Sequence, residues 1–234
     1  MRKISRACLA LLLLSLMGSH VMVDDPVIAP GRDPGGTPIA VVSDGFDYKN
    51  TELALILARD GEGEAIAMDA AYGDQRPYRR DGKGTKNALA AATSGGVRIV
   101  MVGVDWGGPS PLGKASAFTQ RTPARIALVP LDGTRKYLDM LTAIATNTKE
   151  LLFVASIPAA TPEEKAKTDG VATLVLLDSK DDELIAAKAI ARALGCGQAP
   201  LAGSNGAELK TAFLARLQTQ PPAGCEPESA RKSN

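Results

Sequence analysis

Lysines set among glycines occur in the stretch DGKGTKNALA at residues 81–90, a composition typical of loops that hold phosphate groups. A Walker-type loop requires a glycine, four further residues, and then Gly-Lys followed by serine or threonine. Here Gly82 and Lys83 are followed by Gly84, and Gly73 stands too far upstream to supply the first glycine. The spacing therefore argues against a nucleotide-binding loop and leaves the role of the second lysine open.

Three segments of the chain resemble, in order, the three catalytic boxes of the subtilisin-like serine proteases. PIAVVSDGFDYKNTEL is similar to the first box, usually VAVIDTGVDYTHPEL. RPYRRDGKGTKNALA is similar to the second, PYDDDGHGTHVAG, and AGSNGAELKTAFLARL to the third, SGTSMAAPHVAGAAALL. Between them, LLFVASIPAA and VATLVLLDS are similar to two strands of the family. The resemblance covers most of residues 38–218 and implies a reduced subtilisin-like fold.

The same resemblance puts other residue types where the family has its catalytic groups. Ser43 stands at the position of the aspartate, Lys86 at that of the histidine, and Asn205 at that of the nucleophilic serine. The oxyanion-hole asparagine falls near Pro158. The mechanism needs an imidazole that deprotonates the serine, and the only histidine of the chain is His20, beside its apolar N-terminal segment. The resemblance therefore implies a homologue without an intact triad, for which we expect a protein-binding, peptide-binding or accessory role.

Two other functions remain open at this point. Asp44 and Ser204 adjoin the aspartate and serine positions, and Ser43 facing Lys86 would make a Ser–Lys pair, so a hydrolase with a rewired site is one alternative. A plain hydrogen bond from Ser43, or an ion pair between Lys86 and Asp44, is the non-catalytic interpretation. Asn205 likewise matches a helix N-cap. The last alternative is a flavodoxin-like binding module that resembles the subtilisin-like proteases only by chance.

Short apolar runs alternate with amphipathic segments along the part of the chain that has to position these residues. The runs PIAVVSDG, EAIAMDA, VRIVMVGV, ARIALVPL, LLFVAS and VATLVLLD predict six buried strands. Helices are predicted over TELALILARDG, TKNALAAATSGG, TRKYLDMLTAIATNTK, DDELIAAKAIARALG and NGAELKTAFLARLQ. The alternation predicts a three-layer α/β fold, in which a mostly parallel sheet of right-handed βαβ units lies between helices. Ligand sites in such sheets lie at the carboxyl ends of the strands.

The first residues have the pattern of a secretory signal. MRKISR is basic, and ACLALLLLSLMG is an apolar run that is too short to span a bilayer comfortably. We therefore predict a signal peptide at residues 1–20, a linker at 21–37, the α/β domain at 38–219 and a flexible tail at 220–234. The protein is expected to be exported to the periplasm or the medium, and an uncleaved N-terminal anchor is the alternative. There Cys196 and Cys225 are expected to form a disulfide, or else to remain two free thiols.

Charge and composition exclude several classes of partner. The formal net charge is +1 and aromatic residues make up 4% of the chain, which argues against nucleic acid and, after signal removal, against a membrane surface. We expect no cofactor and no metal, because the loop carboxylates lack the spacing of an EF-hand; they are Asp44, Asp47, Asp69 and Asp81. One locally basic loop could receive an acidic partner; it holds Arg76, Arg79, Arg80, Lys83 and Lys86.

Overall fold

A computed structural model of the chain describes residues 26–195 and 199–219. The predicted signal peptide and the predicted tail lie outside these residues, and so do Cys196 and Cys225. Within the described ranges, no helix has the length and apolar character needed to cross a membrane.

Six parallel strands form a single sheet. They are β1 (Thr37–Ser43), β2 (Ala67–Asp69), β3 (Val97–Gly103), β4 (Ile126–Pro130), β5 (Leu152–Ile157) and β6 (Leu174–Asp178). Their order in the sheet is β2-β3-β1-β4-β5-β6, and each neighbouring pair is parallel. Each strand was predicted from a continuous apolar run, which is the pattern of strands that are covered on both faces.

Seven helices connect or follow the strands in the described residues. They are α1 (Thr51–Leu55), α2 (Lys83–Ala92), α3 (Pro111–Thr119), α4 (Leu138–Asn147), α5 (Pro162–Asp169), α6 (Ile185–Leu194) and α7 (Gly206–Gln218). The sequence analysis did not predict α3 or α5, and it extended α1 too far. A short 3-10 turn at Arg135–Tyr137 leads into α4.

Helices cover both faces of the sheet, so the predicted three-layer α/β fold is confirmed. On one face, α1, α2, α6 and α7 pack over Ile39 and Val41 of β1. On the other face, α3 and α4 pack over Ala40 and Val42. These four consecutive residues are at most 3% exposed, because alternate side chains of a strand point to opposite faces and both faces are covered.

Two successive crossovers have opposite hands. The connections β1–α1–β2 and β2–α2–β3 both pass over the face of α1 and α2, yet they run in opposite directions, because β3 lies between β2 and β1. The connections β3–α3–β4 and β4–α4–β5 run in the direction of β6 and pass over the other face. Because they differ from β1–α1–β2 in both direction and face, they have the same hand as that connection. The prediction that all βαβ units are right-handed is therefore wrong for β2–α2–β3. This exceptional crossover carries Lys86.

The segment that precedes β1 is fastened to the domain. Residues 26–36 form neither helix nor strand. Arg59, which is 9% exposed, donates a hydrogen bond to the carbonyl oxygen of Ala29 at 2.8 Å. The backbone N–H of Gly31 donates to the carbonyl oxygen of Gly63 at 2.9 Å. The described part of the predicted linker is thus packed against the loop between α1 and β2.

Candidate functional site

A cleft opens at the carboxyl ends of β1 and β4, which are neighbours in the sheet. From β1 the chain crosses toward β2, whereas from β4 it crosses toward β5 on the opposite side. Such a reversal is a topological switch point, where the diverging loops leave a crevice that commonly holds the ligand of an open α/β sheet. The cleft has a volume of about 280 Å³.

Charged and polar side chains from several parts of the chain line this cleft. The lining residues are Ser43, Asp44, Lys83, Lys86, Asn87, Trp106, Pro130, Asp132, Gly133, Thr134, Glu183 and Leu184. Ser43 and Pro130 end their strands, Lys86 lies on α2, and Glu183 stands just before α6. The structure therefore brings together the first two predicted site positions, Ser43 and Lys86, with Asp44 beside them.

The DGKG stretch forms the tightly packed start of α2. The backbone N–H of Lys83 donates to Asp44 Oδ1 at 2.9 Å, and that of Gly84 donates to the carbonyl oxygen of Gly45 at 3.1 Å. A Cβ atom would lie 2.3 Å from that oxygen at Gly82 and 2.5 Å from it at Gly84. The anion at this helix N-terminus is therefore a carboxylate of the protein, and the glycines permit close packing.

Ser43 directs its hydroxyl at Asp44. The side chain of Ser43 is buried, and its hydroxyl donates to Asp44 Oδ1 at 3.1 Å. Asp44 Oδ2 also lies 3.8 Å from Nη1 of Arg79. Asp44 thus accepts a plain hydrogen bond from Ser43 and pairs with Arg79, and it does not form the alternative ion pair with Lys86. The single hydroxyl proton of Ser43 is already committed to a carboxylate.

Lys86 pairs with Glu183 across the mouth of the cleft. Its ammonium group donates a hydrogen bond to the Glu183 carboxylate, which holds the pKa of that carboxyl below its ordinary value. The two side chains are 60% and 55% exposed. A lysine that acts as a base in a Ser–Lys pair has to be desolvated, and Lys86 is not. This ion pair closes one side of the cleft without preparing Ser43 for attack.

Asp132 contributes a partly buried carboxylate. Burial raises the pKa of this carboxyl, while a hydrogen bond donated by the buried hydroxyl of Ser179 and the nearby charge of Lys83 oppose the rise. The charge of Glu183 acts in the same direction as burial. Asp132 is therefore a fixed acceptor whose ionisation depends on its surroundings.

Asn205 and Ser204 lie at the amino-terminal ends of the strands, opposite the cleft. The expectation that Asn205 joins the site is therefore wrong. Asn205 caps α7 by accepting from the N–H of Glu208 at 3.0 Å. Ser204 donates its hydroxyl to the Glu208 carboxylate at 3.0 Å. The next N–H, that of Gly206, donates to the carbonyl oxygen of Lys149 just before β5 begins. The cap interpretation of Asn205 is confirmed.

Of the loop carboxylates only Asp44 lines the cleft, and Pro158 does not line it either. Pro158 follows the carboxyl end of β5, on the side of the sheet where the cleft opens, but it is exposed and does not line the cleft. Asp47 and Asp69 accept hydrogen bonds from backbone N–H groups of their own turns, and Asp81 pairs with Arg79 at 3.1 Å. Within the described ranges, no group of three His, Cys, Asp or Glu side chains is placed to hold a metal ion.

Sequence reasoning missed Asp132 and Glu183. Asp132 comes directly after the end of β4, and Glu183 follows β6 by a few residues. Both positions adjoin carboxyl ends of predicted parallel strands, where ligand sites are expected. Their position after these strands is the feature of the sequence that indicates them. The family resemblance pointed instead to the third box, which contains neither residue.

Two comparisons with known proteins bear on the family of the chain. No protein-family model matches it, and no curated protein matches it either. The relation to the subtilisin-like proteases therefore stays a proposal.

Proposed function

We propose that this protein is an exported, non-catalytic homologue of the subtilisin-like serine proteases that binds a peptide segment of another protein in the cleft. One observation carries the proposal: Ser43 and Lys86, from the first and second family-like segments, line the same cleft, and each contacts a group that leaves it unfit for catalysis. A shared cleft is what two boxes of one old active site require. Their contacts favour binding over turnover.

In this proposal the third position of the old site belongs to Glu183. The protease mechanism needs its serine at a helix N-terminus, beside the base. The helix that begins at the cleft is α6, which packs against α2. By contrast, α7 begins at the amino-terminal ends of the strands. A lysine and a glutamate then replace the base and the nucleophile, and they form an ion pair with each other.

Turnover is disfavoured by what the cleft lacks. Loss of a protease triad lowers turnover by roughly six orders of magnitude. The described residues contain no histidine, and Lys86 is exposed and paired with Glu183. Nothing in the cleft therefore supports the rewired Ser–Lys hydrolase as a second function.

Labelling with a fluorophosphonate probe tests the loss of catalysis. The purified protein should show no labelled serine by mass spectrometry, because Ser43 has no base to activate it. Labelling of Ser43 that disappears in Lys86→Ala would overturn this part of the proposal. Export is tested separately by cell fractionation: the protein should be found in the periplasm or medium without its first residues, and its recovery only from the cytoplasm with Met1 intact would contradict export.

Peptide selection tests the binding role. Random dodecapeptides displayed on phage are selected on the folded protein, and a photo-reactive residue is placed either at Glu183 or at Glu150. Both glutamates are exposed, but Glu150 lies just before β5, at the amino-terminal ends of the strands and away from the cleft. Selected peptides should crosslink from position 183 and not from position 150. Equal crosslinking from both positions, or no selected peptide, would refute binding in the cleft.

A further inference from the structure

Buried hydrogen-bond acceptors without donors line the cleft. Asn87 is 5% exposed, and its amide nitrogen donates to the carbonyl oxygen of Lys83 at 3.1 Å. Its Oδ1 atom is buried and has no hydrogen-bond partner among the described residues, and the same holds for Oγ1 of Thr134. Burying a polar atom without a partner costs free energy, so each of these atoms would gain from a hydrogen bond that a ligand supplies.

Ser43 and Asp132 also present acceptors to the cleft. Ser43 has given its only hydroxyl proton to Asp44, which leaves its oxygen as an acceptor. The Asp132 carboxylate accepts the Ser179 hydroxyl at one oxygen and has further accepting capacity, because an ionised carboxylate offers about four lone-pair positions. A ligand that fits this set brings several N–H donors.

One carboxylate of the cleft is left to meet a cation. Three carboxylates and two ammonium groups line the cleft, and they belong to Asp44, Asp132, Glu183, Lys83 and Lys86. Lys86 is paired with Glu183, and Asp44 lies 3.8 Å from Arg79, so the carboxylate that an entering cation meets is that of Asp132, with Lys83 nearby. A positively charged group that reaches Asp132 is attracted by this carboxylate.

Trp106 adds a surface that suits an ammonium group. Its ring packs against that of Tyr137 with the ring centroids 5.3 Å apart, and the Tyr137 hydroxyl donates to the backbone carbonyl oxygen of Trp106. The indole is thereby held in place at the cleft wall while it stays partly exposed. An indole face attracts a cation within about 6 Å of its centroid.

We infer that the cleft recognises a primary ammonium group of the bound peptide, on a lysine side chain or at the N-terminus. Three acceptors, Asn87 Oδ1, Thr134 Oγ1 and the Asp132 carboxylate, equal in number the three N–H donors of an ammonium group. The inference rests on the proposed function for its peptide, but the amine chemistry follows from the cleft itself.

Small probes test the inference first. Butylammonium chloride and sodium butyrate have chains of similar size and opposite charge, and each is titrated into the full protein while the Asn87 amide and Trp106 indole resonances are followed by NMR. Butylammonium should shift both resonances with a saturable dependence on its concentration, and butyrate should not. Equal or stronger saturation with butyrate would overturn the inference, and this comparison needs no variant.

A matched pair of substitutions locates the charge. Asp132→Asn keeps the shape of the side chain and should weaken butylammonium binding roughly ten- to hundredfold, the loss expected for a hydrogen bond to a charged group. Asp139→Asn is the control, because Asp139 is exposed on α4 over the other face of the sheet and should change nothing. Unchanged affinity in Asp132→Asn would contradict the inference.

The two proposals fail separately. If selected peptides crosslink in the cleft but bind equally well when their lysines are replaced by norleucine and their N-terminus is acetylated, the amine inference is wrong and peptide binding stands. If butylammonium binds in the cleft and no peptide does, the proposed function is wrong and amine recognition stands.

Discussion

Gly84→Ala is a substitution for which helix propensity and packing predict opposite signs. Gly84 lies in the first turn of α2, and inside a helix alanine is favoured over glycine by about 0.8–1.0 kcal/mol. A Cβ atom at Gly84, however, would lie 2.5 Å from the carbonyl oxygen of Gly45 and 2.6 Å from a ring carbon of Phe46. The Phe46 side chain is fully buried and cannot move aside freely.

The packing effect should exceed the propensity effect. To restore a contact of 3.0 Å, the start of α2 or the Gly45–Phe46 turn has to move by about 0.5 Å in a close-packed region. Overpacking of this kind costs about 1–3 kcal/mol, and the helix preference of alanine recovers at most about 1 kcal/mol. We therefore expect Gly84→Ala to lower the free energy of unfolding by up to about 2 kcal/mol.

Urea unfolding followed by circular dichroism measures this change as a lower midpoint with an unchanged slope. The control is Gly61→Ala, because a Cβ atom at Gly61 meets no atom within 4 Å. The control should stay within about 1 kcal/mol of the natural protein. If Gly84→Ala is as stable as the natural protein, α2 does not approach the turn as closely as described, and the explanation of the DGKG stretch fails.

Three further predictions follow from single contacts. Arg135 lowers the pKa of Glu164 from 4.5 to about 2, so Glu164 stabilises the fold above the unfolded pKa and this contribution disappears as the pH falls through the folded pKa. Glu164→Gln should therefore lower the Tm at pH 7 more than at pH 2, and an equal deficit at both pH values would contradict this. Asn205→Ala should lower the free energy of unfolding in urea by about 1 kcal/mol, because the helix cap is lost, and should leave the affinity for butylammonium unchanged. A weaker affinity would show that Asn205 belongs to the binding site after all. Ser179→Ala should raise the pKa of Asp132 further in an NMR titration, because it removes a hydrogen bond to the ionised form; a fall would be inconsistent with the Ser179 contact.

The six strands could be predicted from sequence, whereas two helices could not be predicted from apolar periodicity. In α5, PEEKAKTD, only Thr168 is buried, so the helix has almost no apolar face. Its signal is local: Thr161 and Glu164 form a capping box, and Pro162 occupies the first helical position. Attention to caps as well as to periodicity would have found it.

Only the part of the candidate site that has local sequence patterns could be predicted. The rest depends on contacts between residues far apart in the sequence. Ser43 and Lys86 were found because each sits in a segment with a recognisable local pattern. Glu183 meets Lys86 across 97 residues of sequence, through the packing of α2 against α6. Both α6 and α7 begin after polar residues, so sequence alone did not say which helix begins at the cleft. Asn205 was chosen for its local pattern, and tertiary packing selected Glu183.

The contacts in the cleft separate recognition from catalysis. A catalytic site needs a base that is free to take a proton, but here the lysine is bound to Glu183, and Ser43 is bound to Asp44. If the cleft were only a filled and retired active site, its buried polar atoms would be expected to be paired as well. Asn87 Oδ1 is buried and unpaired among the described residues. An acceptor kept at such a cost, in a cleft that also holds the Asp132 carboxylate, is better explained by a donor that arrives from outside.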